Sequence, residues 1–420
     1  MTKCSNINSE YHRSFYFKGG NAYAKNTLSQ SKISNKISSS KLRNILSNDI
    51  LSWSSSYDKI TVKTFLNLYI KNKYSIENRA KYFKYVYSKI SKINEISCLR
   101  KKKFYKNKKV YNGYTIDNII NLEKQIGSNS KYGSIFVTSI KDVIGKYPIA
   151  TKLMKINTSN SIEKVLNEHI TDKILKLKLS KHFIFTYRTL ICKNISSEVP
   201  PIISNYNYYI NLNELAHGDL KQICKLKTYV SDDMLVYNVF IQVMLSIMTF
   251  QCTGYTHGDC HYGNFLYHID SIEDGYYHYN INGENFYLKS CKYNIMIFDF
   301  GFAKKINNDY NITSNMLEDY IRIIYAFSNK KILPKSWSYF DNYPSDNVSY
   351  FTNYLLNKLI LIDKTIVSKK SNVNKKLKDL INEIMIPHLI TAPKNMFIKY
   401  KPKEKIINKK PFIINYSLQL

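Results

Sequence analysis

The stretch His257-Gly-Asp-Cys-His-Tyr-Gly-Asn264, answered downstream by Phe298-Asp-Phe-Gly301, decides how this chain is read. An isolated HGD or DFG triplet arises often by chance. The pair is informative because Asp259 and Asn264 are five residues apart. A long helical pattern leads into the first motif, and apolar residues flank both (Phe265–Leu266 and Ile295–Ile297). Two carboxylates and an amide at this spacing suit chemistry that rests on positioning and charge neutralisation. Phosphoryl transfer is such a reaction. Asp259 is the candidate to orient or deprotonate an incoming hydroxyl. Asn264 and Asp299 supply the hard oxygen donors that magnesium prefers. Gly301 lets the chain turn sharply after the metal ligand.

Around these motifs the pattern is mixed. Residues 134–140, 147–155, 183–192 and 206–213 are rich in β-branched and aromatic residues and read as strands. Residues 161–179 read as a helix between them. Apolar pairs recurring every four residues predict a strong helix over 232–252, with Ser231 as its N-cap and Asp232 and Asp233 complementing its dipole. Helices are expected at about 316–328, 347–363 and 373–386, and near Val62–Tyr69 and Tyr82–Ile93. Asn282-Gly283 between aromatic-rich runs predicts a hairpin with a primed turn.

The two motifs resemble the catalytic and metal loops of the protein-kinase-like superfamily. The resemblance implies an α+β, two-lobed protein-kinase-like fold, with a small β-rich N-lobe, a larger helical C-lobe and ATP in the cleft. Around it lies a helical or disordered N-terminal extension. In these terms residues 1–50 are a mobile polar arm and 51–119 a helical basic extension. The N-lobe spans 120–216, the C-lobe 217–390, and a basic C-terminal tail 391–420. Ile126-Gly-Ser-Asn-Ser-Lys-Tyr-Gly133-Ser-Ile-Phe136 looks like a phosphate-covering glycine loop, with Gly127 and Gly133 as its small residues and Asn129 in place of the middle glycine. Ala150-Thr-Lys152 is similar to the kinase strand motif whose Lys contacts the α- and β-phosphates. Glu168 is the expected partner of Lys152, with Glu163 and Asp172 as alternatives. Residues 210–220 look like a hinge, where backbone groups of Glu214 to Ala216 would meet adenine and Asp219 would reach the ribose. Asp319-Tyr-Ile-Arg322 resembles the buried Asp that braces the catalytic loop.

Departures from the pattern are also informative. Gly258 stands where most protein kinases carry Arg, so control through a phosphorylated activation loop is not expected. His261 replaces a Lys near the transferred phosphate, which resembles small-molecule phosphotransferases. Only 17 residues separate Gly301 from Asp319 and no APE motif follows, so the platform that docks peptide substrates is expected to be reduced or absent. The combination of NFLYH, GYYHYNINGENFYL and FDFGFA resembles a group of kinase-like proteins from giant DNA viruses. The expected activity is ATP-dependent phosphorylation of protein Ser/Thr, with magnesium or manganese as the metal and with Lys152, Asp259, Asn264 and His261 in the catalytic set. The alternatives are a small-molecule phosphotransferase and a non-catalytic kinase-like virion or scaffold protein.

Composition adds bounds. The 420 residues carry a formal charge of +31. Only six of the 62 basic residues are Arg, whereas phosphate recognition favours the Arg fork. Lys, Asn, Ile and Tyr are all abundant and all spelled by A/T-rich codons, so the charge alone does not indicate a nucleic-acid binder. The run RKKKFYKNKK at 100–109 reads either as a weak nonspecific grip on nucleic acid or as a solvated linker, and the linker is preferred. Seven cysteines without a CxxC pair indicate neither a disulfide framework nor a zinc site. The expected location is therefore a reducing interior: host cytoplasm or virus factory, with the virion as an alternative. The apolar stretch Val236–Phe250 is too short and too interrupted to span a bilayer.

Overall fold

The computed structural model describes residues 74–106, 109–130, 133–143, 149–193, 206–270, 274–306, 311–327, 344–366 and 373–419. The expected arm at 1–50 and the helical pattern near Val62–Tyr69 lie outside the described residues. The protein is α+β. Its described part divides into two compact units: residues 88–155 with 190–212, and residues 74–87, 156–189 and 213–420.

Helix α1 (Ile76–Ile90) opens the described chain, followed by strands β1 (Arg100–Lys106), β2 (Lys109–Ile116), β3 (Ile120–Ser130), β4 (Gly133–Ile140) and β5 (Ile149–Lys155). Helix α2 (Thr158–Ile170) extends through one π-helical turn, Thr171–Leu175. Strands β6 (Thr186–Cys192) and β7 (Tyr208–Glu214) complete a seven-stranded sheet of order β1-β2-β3-β4-β5-β7-β6.

The first unit is built on the antiparallel meander β1 to β5. Strand β1 overturns the expectation of a linker at 100–109 and of a helical extension reaching to 119. All seven of its residues pair with β2, from Arg100 opposite Thr115 to Lys106 opposite Lys109. Lys is weak in strands, but this is an edge, where Lys side chains reach water and discourage further pairing. Lys101 and Lys103 are exposed, while the Lys102 ammonium donates to Asn121 Oδ1 at 3.2 Å. The opposite edge is covered by the segment just ahead of β1. Ile96 bridges Ile191 in parallel, and the amides of Ile191 and Ser97 donate to Glu95 O and Ile191 O. A Cys98–Cys192 disulfide, with Cα atoms 4.5 Å apart, fastens this seam. The sheet thus curls until both edges meet one short segment. The bond corrects the reading that no disulfide forms; ninety-four residues separate the two cysteines, so their spacing carried no signal.

In the second unit the chain passes through β8 (Gly218–Asp219) and two single-turn helices to α3 (Asp233–Cys252). Asp232, not Ser231, is the N-cap, its carboxylate accepting from Leu235 N at 3.1 Å. Then come β9 (Tyr255–Thr256), β10 (Phe265–Ile269), β11 (Tyr276–Ile281), β12 (Glu284–Lys289), β13 (Tyr293–Ile297) and β14 (Lys304–Lys305). Helices α4 (Asn311–Ile324), α5 (Asp346–Ile366) and α6 (Val373–Asp379, running on through a π-helical turn to Leu389) precede the short strands β15 (Phe397–Ile398) and β16 (Phe412–Ile414).

Helix α3 is the centre of this unit, and every residue from Leu235 to Cys252 is buried. Among the described helices it alone is long and apolar enough to cross a membrane, because the helix runs on beyond the Val236–Phe250 stretch at both ends; its burial gives no clear membrane span, as expected. Its burial, complete over the apolar window, accounts for its composition. Its polar interruptions have partners: Asn238 donates to Lys289 O at 2.6 Å, and Gln242 donates to Tyr293 O at 2.9 Å while accepting from Ile295 N at 3.1 Å.

The predicted hairpin is present. Asn282 (φ +50°) and Gly283 (φ +94°) form the turn between β11 and β12, as a primed turn requires. The basic stretch expected as a tail is built into the fold. Its β15 pairs with β12, and its β16 lies parallel to β11, giving a four-stranded sheet β15-β12-β11-β16.

Candidate functional site

The loops carrying the two motifs are held between two small ladders. On one side β9, just before His257, pairs with β14, just after Gly301, with Thr256 opposite Lys304. On the other, β10 pairs with β13, with Phe265 opposite Ile297. This register sets Asn264 against Phe298, whose amide donates to Asn264 O at 3.0 Å, and so brings Asn264 beside Asp299. The insertion at 267–291 does not separate the two candidate metal ligands, because its ends are zipped together.

Asp259 is drawn into the same cluster. Asn264 Nδ2 donates to Asp259 O at 2.9 Å and to Asp259 Oδ2 at 3.3 Å, which fixes the amide and leaves Oδ1 as its acceptor end. Arg322 Nη1 sits 2.8 Å from Asp259 Oδ1. His261 Nε2 lies 3.4 Å from Oδ2, and its Nδ1 lies 3.0 Å from Gly263 N. Partial burial raises the Asp259 pKa, but the His261 contact and the His261 and Arg322 charges outweigh it, and the carboxyl is held below its usual value.

The backbone beneath is braced as the motif resemblance implied. Asp319, on α4 and 1% exposed, accepts from His257 N and Gly258 N, both at 2.8 Å. Gln251, near the end of α3, donates to the same carboxylate at 3.1 Å. Burial pushes the Asp319 pKa up, against the pull of His257 and these donors. His257 is fully buried, with Nε2 3.0 Å from Phe298 O, and so ties one motif to the other. Gly258 has φ +74°, and a Cβ there would lie 2.7 Å from Phe302 O. Any larger residue at this position, Arg included, would meet strain and a backbone clash.

Asp299 itself has φ +68°, a left-handed conformation that is uncommon for a residue with a side chain. Its Oδ1 and Glu163 Oε2 both lie 3.7 Å from the position a Cβ would take on Gly301. Glu163 is 1% exposed on α2. Glu168, the expected partner of Lys152, instead pairs with Lys164 at 2.9 Å on the partly exposed face of the same helix. Asp172 is likewise engaged with Lys176, at 2.5 Å. Of the two glutamates on α2, Glu163 is thus the one buried near Asp299 and Gly301, and Glu168 the one on the partly exposed face. These carboxylates are five residues apart, which places them on different faces of a 3.6-residue helix.

The other expected residues fall as follows. Lys152 is 4% exposed on β5 of the first unit, opposite Ile135 of β4. Gly127 and Gly133 lie near the β3–β4 hairpin tip, whose residues 131–132 are outside the described set. A Cβ on Gly133 would stand 2.3 Å from Leu153 O, so close approach of β5 already requires glycine there. Glu214 ends β7 with its amide donating to Phe185 O at 2.9 Å and its carboxylate on Arg79. Ala216 is half-buried in the following link. Asp219 pairs with Leu266 in β8–β10 and caps the next turn by accepting from Gln222 N at 2.9 Å. Burial, against the pull of Gln222, Lys221 and His261, pushes its pKa up to about 6.

Sequence reasoning gave no role to Arg322, although its i+3 spacing from Asp319 put it on the same helix face, and it missed Arg79 entirely. Among the described residues no group of three or more His, Cys, Asp or Glu is gathered as for a metal cage. A scan against protein-family models gave no match, and a search of curated proteins found no similar sequence.

Proposed function

We propose that this protein is an ATP- and magnesium-dependent phosphotransferase of protein-kinase-like fold, acting on hydroxyl groups of protein Ser/Thr. The observation that carries the reading is the convergence of Asp259, Asn264 and Asp299, with the Asn264 amide on Asp259 and the β10–β13 register placing it beside Asp299. The donor set suits a hard cation: an amide oxygen of fixed orientation, and a carboxylate carried on a left-handed backbone. When bound, magnesium (or manganese) would neutralise charge on the phosphates. Asp299 and Asn264 would hold it. Asp259, ionised at neutral pH, would orient the acceptor hydroxyl and take its proton, while Arg322 keeps the carboxylate aimed. Lys152 would contact the α- and β-phosphates, and the Glu214 carbonyl and Ala216 amide would meet adenine.

A small-molecule acceptor is the second reading. It is favoured by His261 against Asp259, where a protein kinase has Lys, and by the short segment between Gly301 and Asp319. Location in a reducing interior belongs with the first reading and is weakened by the Cys98–Cys192 bond.

The test is a pair of measurements. Mg-ATP at about 100 times its dissociation constant should stabilise the protein by about 2.7 kcal/mol. Asp299→Ala should abolish transfer from labelled ATP while leaving the circular dichroism spectrum unchanged. Activity retained in that variant would refute the assignment. Label appearing on metabolites and on no protein would select the second reading.

A further inference from the structure

Arg79, on the helix that precedes every recognised motif, is 2% exposed, and its whole guanidinium is engaged. Nε and Nη2 form a fork onto Glu214, at 2.9 and 2.8 Å. Nη1 donates to Lys181 O at 3.0 Å and Nη2 also donates to Phe183 O. The group lies 5.4 Å from the centre of the Phe185 ring, and Phe185 N in turn donates to Glu214 Oε2 at 3.3 Å. Two structures that matter to the site meet here. One is the end of β7, which leads into residues 214–216. The other is the segment 181–185, which supports the metal loop: His182 O accepts from Ile297 N at 2.9 Å, Phe183 bridges Ile297, and the Phe183 ring packs on Phe300. Ile297 is two residues before Asp299. Helix α1 is itself anchored, with Phe83 on Phe185 and Tyr187, Tyr74 N on Asp270, and the Tyr74 ring 4.2 Å from His268.

We infer that Arg79 is a positioning residue for the nucleotide site, holding residues 214–216 and Asp299 in one frame, so that the docking of α1 sets the affinity for Mg-ATP. The inference rests on the phosphotransferase reading and adds to it a control element ahead of the motifs. Arg is required because Lys offers no planar fork to satisfy a carboxylate and two carbonyls together.

Removing either partner alone would strand a buried charge and risk unfolding, whereas a buried pair replaced by apolar residues of similar volume is often neutral. The decisive variant is therefore Arg79→Met with Glu214→Leu. It restores packing but makes no bond to the carbonyls of Lys181 and Phe183 or to the Phe185 amide. The expected result is a variant that still folds, with a lowered melting temperature from the stranded carbonyls and amide, with Mg-ATP binding weakened by about tenfold or more and KM for ATP raised more than kcat falls. Full Mg-ATP affinity in the folded double variant would overturn the inference and leave the phosphotransferase reading standing. No Mg-ATP binding by the wild type would end both. Should the double variant not fold, hydrogen exchange on the wild type decides. Coupling is reciprocal, so Mg-ATP should slow exchange of amides within residues 76–87, and unchanged rates there would overturn the inference.

Discussion

At the scale of single residues, the site depends on positions where one atom more or less cannot be absorbed. Gly258→Ala adds a Cβ in a left-handed backbone 2.7 Å from a carbonyl oxygen. We expect a loss of about 1–3 kcal/mol in urea unfolding, with activity falling further because Asp259 is the next residue. Asp319→Ala leaves the buried His257 amide and the partly buried Gly258 amide without their acceptor. A loss of about 1–3 kcal/mol should follow, chiefly from the His257 amide. The pH profile contains two opposing contributions. Asp219, with its pKa raised to about 6, favours folding most below its unfolded value near 3.8, and that contribution is lost as pH rises through about 6. His388, buried and lowered to about 4, favours folding above its unfolded value near 6.5, and that contribution is lost as pH falls through about 4. Chemical denaturation between pH 4 and 6.5 should show Asp219→Asn steepening the rise of stability with pH and His388→Phe flattening it.

At the scale of elements, the buried polar side chains of α3 are its registration marks. Gln242 exchanges bonds with both Tyr293 O and Ile295 N of β13, and β13 positions Asp299. Gln242→Leu should cost about 1–3 kcal/mol and also loosen metal-dependent nucleotide binding, measured by thermal shift with and without Mg-ATP. Most elements were legible, because strong periodicity marked α3, the Asn-Gly pair marked the β11–β12 turn, and β-branched runs marked β4 to β7. Strand β1 was not legible, since Lys-rich edges look like linkers until a partner strand is known. Which of Glu163 and Glu168 is buried was a choice between faces of one helix, which the sequence left open. Both site arginines, 79 and 322, are among six in the chain, and their rarity against a Lys-rich background was a usable signal.

At the scale of the molecule, the curled sheet of the first unit is sealed by one covalent bond across ninety-four residues. In the chain-entropy picture a loop of that size is worth about 4–5 kcal/mol. Reductant should lower the melting temperature of the wild type and leave Cys98→Ser unmoved, as followed by calorimetry. No spacing of cysteines foretold this bond, because it joins segments brought together only by the order of seven strands.

The pairing of β16 with β11 has a bearing on biosynthesis. Residues 412–414 complete a sheet begun about 130 residues earlier, and Ile413 N also donates to Leu179 O, farther back still. A nascent chain emerging from the ribosome therefore carries the aromatic hairpin with one flank bare until residue 414 is free. During that interval the hairpin is open to pairing with a neighbouring polypeptide. Premature termination anywhere before 412 would make the exposure permanent, so such products should be found with chaperones or in aggregates and not in the soluble fraction.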